Sequence, residues 1–250
     1  MYKQFHSLSD GFLDYFDVSM AITPRQREEL ARMRYRVYCE EFGYENAAEF
    51  PSRLEADEFD DYSHHCMVTH KRAGSLAGGV RLVCASEAHR LPIQKYCLES
   101  VYAEYAEPLL TKRDSICEFS RLTVDTAFRR RRGEDHTRIG EFDALDCSHQ
   151  ERRTFSLVGV ATFISAVAMA SLSNRPQIYG MMESNLPRLL RRSGLLVQQA
   201  GDYMEYHGQR APFYLSTELA LNNMRDDLLD LYHAIHDRLA ENFVVRESVA

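Results

Sequence analysis

The chain has 250 residues, which is enough for one large domain or two small ones with a substantial buried core. Its formal net charge of −7 at pH 7 argues against general nucleic-acid binding, for which a basic domain is expected. Six cysteines without a CxxC pair lie mostly in apolar segments, so we expect buried thiols in a reducing cytoplasm and no disulfide framework.

Membrane insertion is disfavoured by two segments. The N-terminal stretch MYKQFHSLSDGF has no apolar signal core. The stretch FSLVGVATFISAVAMASLS at 155–173 approaches the spanning length of about 20 residues, but Ser and Thr interrupt it, which favours a core helix. The sequence therefore predicts a cytoplasmic protein without a transmembrane segment.

The first half of the chain alternates predicted strands with helices. Thr23 and Gln26 form a capping box around Pro24, which predicts a helix from there to about Glu40. The turn KRAG joins two strands as a hairpin, and a short helix at 92–100 precedes the last strand of this half. The predicted strands are 16–22, 64–70, 76–84 and 115–125.

The second half continues this alternation. A helix at 155–173 and a strand at 177–182 are followed by a helix at 185–192 and a C-terminal helix at 218–242. Shorter strands are predicted near 195–199, 202–207 and 212–216. This order predicts an α/β domain around a mixed sheet with a C-terminal helical extension.

Opposite charges inside an apolar strand mark the segment EFSRLTVDTAFRRRR at 118–132. Glu118 and Arg121 are three residues apart, and this odd spacing places side chains on opposite faces of a regular strand. A bulge between them is therefore required if both act in one pocket. The alternative is an edge strand whose two charges are exposed to solvent.

Two further arginines occupy positions that predict burial. Arg34 lies on the apolar stripe of the first predicted helix, and Arg81 lies inside the strand segment GGVRLV. A buried charge is costly without a partner, so both need carboxylates. We expect a network of three arginines and three acids that fixes a pocket wall. Its predicted members are Arg34, Arg81, Arg121, Asp57, Asp60 and Glu118.

The acidic segment EADEFDD at 55–61 has two other interpretations. Such a run is often a solvated loop. It also lies near His64, His65 and Cys66, which are potential metal ligands. Adjacent histidines on a strand point to opposite faces, however, so a shared metal is disfavoured and no metal site is predicted.

The order of these residues resembles that of the acyl-homoserine-lactone synthases, which are acyltransferases with a GNAT-like fold. Tyr38 and Tyr44 stand where Phe and Trp are usual in those enzymes, so the resemblance to their own substrate use is weaker. The segments that carry the resemblance are Arg34-x3-Tyr38-x5-Tyr44, Glu55-x-Asp57-x2-Asp60, Arg81 and Glu118-x2-Arg121.

The chain more closely resembles the N-acyl amino acid synthases, in particular the PEP-CTERM/exosortase-associated acyltransferases. The resemblance covers roughly 16–216 and rests on EFSRLTV, FRRRRG, LPRLLRRSGL at 186–195 and MEYHGQRAPFY at 204–214. It implies a GNAT-like α/β acyltransferase domain at 1–217, with a mixed central sheet flanked by helices. The helix within 218–250 is then expected to pack on this domain or at an oligomer interface.

The resemblance implies direct transfer of a fatty acyl group from acyl carrier protein to the amine of an amino acid or similar small molecule. Glu118 and Arg121 are the implied catalytic residues, with Glu118 acting as the base or as an anchor for the ammonium group. No permanently bound cofactor is implied, and acyl-CoA is the less favoured donor. The implied substrate-binding residues are Arg34, Tyr38, Tyr44, Asp57, Asp60, Arg81 and Ser120.

A basic patch is predicted to dock the acyl carrier protein. Glu134 and Asp135 directly follow Gly133 and disfavour a tight phosphate cradle, so a carrier protein suits the arginines better than free CoA. The alternative is a solvated basic surface. The predicted docking residues are Arg129, Arg130, Arg131, Arg132, Arg188, Arg191 and Arg192.

The acyl chain also needs an apolar tunnel, for which the helix and strand at 157–182 are the predicted source. Two other functions remain open at this point. One is an acyl-homoserine-lactone synthase that uses S-adenosylmethionine. The other is a non-catalytic sensor of acyl carrier protein, against which the intact Glu118 and Arg121 pair argues.

Overall fold

The computed structural model of the chain describes residues 7–129, 154, 156–192 and 194–244. Its strands form one mixed sheet, in which β7 pairs at the side with β8. The strands are β1 Phe16–Met20, β2 Ser63–His70, β3 Ser75–Cys84, β4 Ile116–Val124, β5 Gln177–Met182, β6 Gln198–Gln199, β7 Met204–Glu205 and β8 Gln209–Ser216. The α-helices of these residues are α1 Leu8–Tyr15, α2 Pro24–Tyr35, α3 Pro92–Tyr96, α4 Ala103–Thr111, α5 Val158–Leu172, α6 Leu186–Arg192, α7 Thr217–Asn223 and α8 Asp226–Ala240.

The sheet order β1-β2-β3-β4-β5-β8-β6 contains one parallel pair. Strands β1 to β4 are antiparallel neighbours, and β8 runs antiparallel to β5. The parallel register joins Ile116–Glu118 of β4 to Gln177–Tyr179 of β5, although β4 continues to Val124 and β5 to Met182. The two strands therefore separate beyond Glu118 and leave an opening in the middle of the sheet.

A bulge interrupts β4 just beyond Glu118. Ser120 pairs with Arg81 and Thr123 pairs with Gly79, so two residues of β4 face a single residue of β3. Arg121 is the first of the two and has a positive φ of 52°. The predicted bulge is thus present, but it begins at Arg121 itself and not between Glu118 and Arg121.

The start of α2 follows its capping residues. The Thr23 hydroxyl accepts a hydrogen bond from Gln26 N, and the Gln26 side chain accepts one from Thr23 N. The helix does not run on to Glu40 as an α-helix, because Arg36–Glu41 form a π-helical turn. Such turns occur often at functional sites.

Close packing on both faces of the sheet requires two adjacent glycines in β3. A Cβ atom on Gly78 would lie 2.8 Å from Thr162 Oγ1 of α5, and one on Gly79 would lie 2.3 Å from Leu30 Cδ2 of α2. The absence of a side chain lets one helix approach each face.

The apolar segment near 155–173 is a core helix. Almost all side chains of α5 are buried, and α5 packs against β2, β3, β4 and α8. Among the described residues, no helix is both long and apolar enough to cross a membrane. The core on this face also holds Leu228, Leu231 and Ile235 of α8, so that helix packs on the domain.

The helices differ from the predicted elements in two respects. Residues 8–15 and 103–111 form helices that were not predicted. The C-terminal helix is not continuous from 218 to 242. Met224 and Arg225 adopt extended backbone angles, with ψ values of 140° and 146°, and separate α7 from α8.

Candidate active site

A pocket of about 130 Å³ lies where β4 and β5 separate. Strand β4 supplies one wall from Glu118 to Val124, and β5 and α6 supply another. Its apolar lining is Val37, Pro92, Phe119, Leu122, Val124, Met181, Met182, Leu186 and Leu189. Its polar lining is Tyr38, Tyr44, Glu45, Glu118, Ser120, Arg121, Thr123, Arg129, Glu183, Asn185, Tyr206, His207 and Arg210.

Glu118 lines this pocket at the last position where β4 pairs with β5. Its side chain is 2% exposed, and Oε2 accepts a hydrogen bond from Ile93 N at 2.7 Å. Burial raises the pKa of this carboxyl to about 8, although the Ile93 hydrogen bond and the charges of Arg81 and Arg121 act in the opposite direction. The group is therefore poised to change protonation near neutral pH.

The three buried arginines do form a network with acids. Arg34 Nε lies 2.6 Å from Glu55 Oε2, and its two terminal nitrogens donate to both carboxylate oxygens of Asp60 at 2.7 and 2.8 Å. Burial lowers the pKa of Arg34, but Glu55 and Asp60 more than offset this, so the pKa lies above its ordinary value.

Arg81 and Arg121 extend the network to the pocket. Arg81 pairs with Asp57 through both terminal nitrogens, and its Nε donates to Ser120 Oγ at 3.0 Å. Arg121 Nε donates to Glu55 Oε1 at 2.8 Å, and Arg121 Nη2 lies 3.1 Å from Glu45 and 3.2 Å from Asp57. Four carboxylates, including Glu45, thus surround three guanidinium groups.

The prediction that Glu118 belongs to this network was wrong. Glu118 forms no ion pair within the described part of the chain, and Glu55 is the third anion in its place. The reason is geometric, because the left-handed backbone of Arg121 turns its guanidinium toward Glu55 and Asp57. Glu118 instead faces the N-terminal turn of α3.

The network residues differ in their access to the pocket. Arg34 and Arg81 are 4% and 1% exposed and are not among the pocket-lining residues. Asp57 and Asp60 bind these two arginines and are likewise not among the pocket-lining residues. Ser120 and Arg121 carry the network to the pocket surface.

The two tyrosines of the predicted site, Tyr38 and Tyr44, both line the pocket, and Tyr38 also contacts the bulge of β4. Tyr38 OH donates to Leu122 O at 3.0 Å, and the Arg121 guanidinium lies over the Tyr38 ring at 5.7 Å. The Tyr44 ring stacks on Phe42 and lies beneath the Arg210 guanidinium. Tyr38 therefore stabilises the bulged backbone that positions Arg121.

The pocket residues that were not predicted as site residues include three from the β7–β8 hairpin. Tyr206, His207 and Arg210 come from the β7–β8 hairpin and reach the pocket because β8 pairs with β5. Their segment, MEYHGQRAPFY, contributed to the family resemblance, but no role followed from it. The only local signal is the His–Gly pair, which is typical of a tight turn.

The arginines of the predicted basic patch differ in their exposure to solvent. Arg129 is 2% exposed, pairs with Glu41, and lies 4.9 Å from the Phe42 ring centroid. This burial excludes Arg129 from an exposed docking surface. Arg188 and Arg191 are exposed on α6, next to the pocket. The side chain of Arg192 and all of Arg130, Arg131 and Arg132 lie outside the described residues.

The predicted apolar tunnel is only partly supported. Met181 and Met182 line the pocket, as expected. The apolar residues at 157–169, by contrast, pack into the main core. Among the described residues, no group of three or more His, Cys, Asp or Glu side chains is arranged to hold a metal ion.

Comparisons with known proteins give the same fold. The family model described as an acetyltransferase (GNAT) domain matches residues 33–138. The solved structure of TofI in a ternary complex with an inhibitor and MTA is 18% identical, with a TM-score of 0.61, over 88% of this chain and 99% of that one. No curated protein sequence matches this chain.

Two further solved structures with this fold are enzymes that are described as synthases. MesI, a CoA-dependent acyl-homoserine lactone synthase, is 17% identical, with a TM-score of 0.53, over 88% of this chain and 95% of its own. FeeM, an N-acyl amino acid synthase from uncultured soil microbes, is 13% identical, with a TM-score of 0.55, over 86% of this chain and 97% of its own.

At such low sequence identities, the structural likeness shows the fold alone. It confirms the predicted GNAT-like α/β architecture, with a mixed sheet flanked by helices. Residues 33–138 thus match the GNAT acetyltransferase domain model, and the chain has a GNAT-like fold that it shares with an acyl-homoserine lactone synthase and an N-acyl amino acid synthase.

Proposed function

We propose that this protein is an N-acyltransferase that moves a fatty acyl group from acyl carrier protein directly to the amine of an amino acid or similar small molecule. The observation that carries this proposal is the opening between β4 and β5, which combines a buried carboxyl with an apolar wall. A fatty acyl thioester needs apolar lining for its chain and polar groups around its carbonyl.

The backbone of β4 suits a thioester carbonyl. Glu118 is the last β4 residue paired with β5, so the edge from Phe119 to Leu122 that faces β5 is open to the pocket. Backbone N–H groups along this edge are suitable donors to the oxyanion that forms when an amine attacks. An acyl thioester needs no covalent enzyme intermediate if the amine is aligned and loses its proton.

Glu118 is the proposed contact for the acceptor amine. As a carboxylate it accepts a proton from the amine or holds its ammonium group, and its raised pKa places the change between both forms near neutral pH. Arg121 shapes the pocket beside it through Glu45 and Glu55. In this proposal Arg34, Arg81, Asp57 and Asp60 stabilise the wall from behind.

The choice of donor rests on charge. Arg188 and Arg191 are exposed on α6, whose Leu186 and Leu189 line the pocket, so an acidic carrier protein can approach the opening. Acyl-CoA is the second donor, because MesI is described as CoA-dependent and shares the fold. Assignment to the PEP-CTERM/exosortase-associated branch rests on the sequence motifs alone.

An acyl-homoserine-lactone synthase that uses S-adenosylmethionine is the second candidate. The shared fold with MesI favours it as much as the FeeM likeness favours the N-acyl amino acid synthase. Both candidates acylate an amine, so the pocket chemistry is common to them. The identity of the product separates them.

The test is mass spectrometry of lipid extracts from cells that express the wild-type protein or Glu118→Gln. We expect a series of N-acyl amino acids that falls by at least about 10²-fold in the variant. Acyl-homoserine lactones as the product would establish the second candidate. Folded wild-type protein that produces no acylated amine from purified acyl carrier protein and amino acids would overturn the catalytic proposal and favour a carrier sensor.

A further inference from the structure

The turn between β7 and β8 places a histidine in the pocket wall. Met204 pairs with Arg210 and Glu205 with Gln209, so Tyr206, His207 and Gly208 form the turn. His207 has φ 52° and Gly208 has φ 92°. Glycine adopts such angles freely, but histidine does so only where its surroundings hold it.

Contacts of the His207 ring provide this support. Its Nδ1 lies 3.0 Å from the backbone oxygen of Tyr44 and 3.6 Å from Glu45 Oε1. A carbonyl oxygen only accepts hydrogen bonds, so the contact with Tyr44 requires a proton on Nδ1. In the neutral ring, Nε2 then carries the lone pair.

This second nitrogen is available for chemistry. His207 lines the pocket, its side chain is 27% exposed, and Nε2 has no hydrogen-bond partner among the residues that the structure describes. Glu45 Oε1 also lies on the Nδ1 side of the ring, so Nε2 is the nitrogen that remains for a substrate. The arrangement is that of a base whose tautomer is fixed by an acceptor behind it.

We propose that His207 is the base that takes the proton from the acceptor amine. This inference rests on the proposed N-acyl transfer and divides the work within the same pocket. The neutral amine forms a bond to the thioester carbonyl carbon, and the nitrogen of the resulting tetrahedral adduct passes one proton to His207 Nε2.

The remaining steps balance without a further reactant. The carbon–sulfur bond breaks as the carbonyl reforms, and the sulfur leaves as a thiolate that takes the proton from the imidazolium. The products are an amide and the free thiol of the carrier arm, with His207 again neutral. Glu118 then has the other role open to it, because its carboxylate can hold the ammonium group of the incoming acceptor. That group releases one proton to bulk water before the neutral amine attacks, so the net products are the amide, the thiol and one proton.

The test uses variants that keep the turn. Asparagine adopts positive φ more readily than most residues, and its amide can donate to Tyr44 O in place of Nδ1, so His207→Asn removes Nε2 with the least disturbance. Free-thiol release is measured with purified protein, an acyl-carrier-protein thioester and a mixture of the standard amino acids. We expect kcat/KM to fall by about 10²-fold. The control is His233→Asn, at an exposed position on α8, which should stay within about twofold of wild type.

A second variant separates a base from a residue that only shapes the pocket. His207→Gly tolerates the backbone angle and leaves space for a small molecule. Added imidazole should restore part of its transfer rate and should not restore that of Glu118→Gln. The proposed role of His207 as the base would be overturned by wild-type rates in His207→Asn, or by a lack of response of His207→Gly to imidazole. In either case, transfer by the wild-type protein would still support the proposed function. Absence of transfer by the wild-type protein would overturn both.

Discussion

The Glu118 carboxyl accepts a hydrogen bond from Ile93 N at 2.7 Å, and it does so without an ion pair to any of the described arginines. One backbone N–H does not compensate the loss of water around a carboxylate, so burial keeps the pKa near 8. The site thus holds a carboxyl group that ionises close to physiological pH.

This pKa predicts how stability changes with pH. In the unfolded chain Glu118 loses its proton near the ordinary value of about 4.3, whereas in the folded protein it keeps the proton until about pH 8. Between these values the unfolded state binds fewer protons, so this group lowers the free energy of unfolding as pH rises. Its contribution is most favourable below the unfolded pKa and is lost by the time the pH passes about 8.

Glu118→Gln removes this titration and retains an oxygen that accepts from Ile93 N. The difference in free energy of unfolding, variant minus wild type, should therefore increase between about pH 5 and about pH 8 and then stay constant. Urea denaturation of both proteins across this range measures it. A difference that does not depend on pH would show that the folded carboxyl has an ordinary pKa.

The arginine network predicts a large effect of one buried substitution. Arg34→Met leaves Glu55 and Asp60 without their nearest cation, and removal of one partner from a buried ion pair typically costs about 3–5 kcal/mol. The free energy of unfolding from urea denaturation should fall by about this amount. Arg25→Met, which breaks the exposed pair with Glu29, should cost less than about 1 kcal/mol. Equal losses in the two variants would contradict a buried network.

Much of the fold followed from local sequence signals. The capping box at Thr23, the hairpin around KRAG and the strand at 177–182 appear as predicted. Helix α1 was missed because its sequence, LSDGFLDY, contains Gly11 and two aspartates, which disfavour a helix by propensity. Helix α4 contains Pro108, and tertiary packing of Leu109 overrides that signal.

The site was less predictable because its contacts join distant segments. The spacing of charges indicated a network, but it did not show which carboxylate would remain without a cation. That depends on the turn of Arg121 at the bulge, which selects Glu55 over Glu118. The β7–β8 residues enter the pocket only through the pairing of β8 with β5, for which no local pattern gives the register.

The apolar wall predicts a change in product chain length. Leu189 lines the pocket on α6, so Leu189→Trp should reduce the space for the acyl chain and shift the products toward shorter chains. Mass spectrometry of the lipid products gives this distribution. Leu219→Trp, at an exposed position on α7 that is not among the pocket-lining residues, is the matched control. An unchanged distribution in Leu189→Trp would place the acyl chain elsewhere.

The exposed arginines of α6 predict which donor the protein prefers. Arg188 and Arg191 are exposed on the helix whose Leu186 and Leu189 line the pocket, and reversal of both charges to Glu should repel an acidic carrier protein. The KM for acyl-carrier protein should rise about tenfold, equivalent to about 1.4 kcal/mol, with little change for acyl-CoA of the same chain. Added salt should raise the wild-type KM for the carrier protein but not that of the variant.

Steady-state kinetics with both donors measures this effect, and reversal of two exposed arginines of α2, Arg25→Glu with Arg32→Glu, is the control for net charge. A similar rise in KM for both donors would mean that the two arginines act on the pocket or on the shared phosphopantetheine arm. An unchanged KM for the carrier protein would mean that it docks on another surface. Selective loss with the carrier protein is expected, because only that donor brings an acidic protein surface to α6 while both bring the same thioester into the pocket.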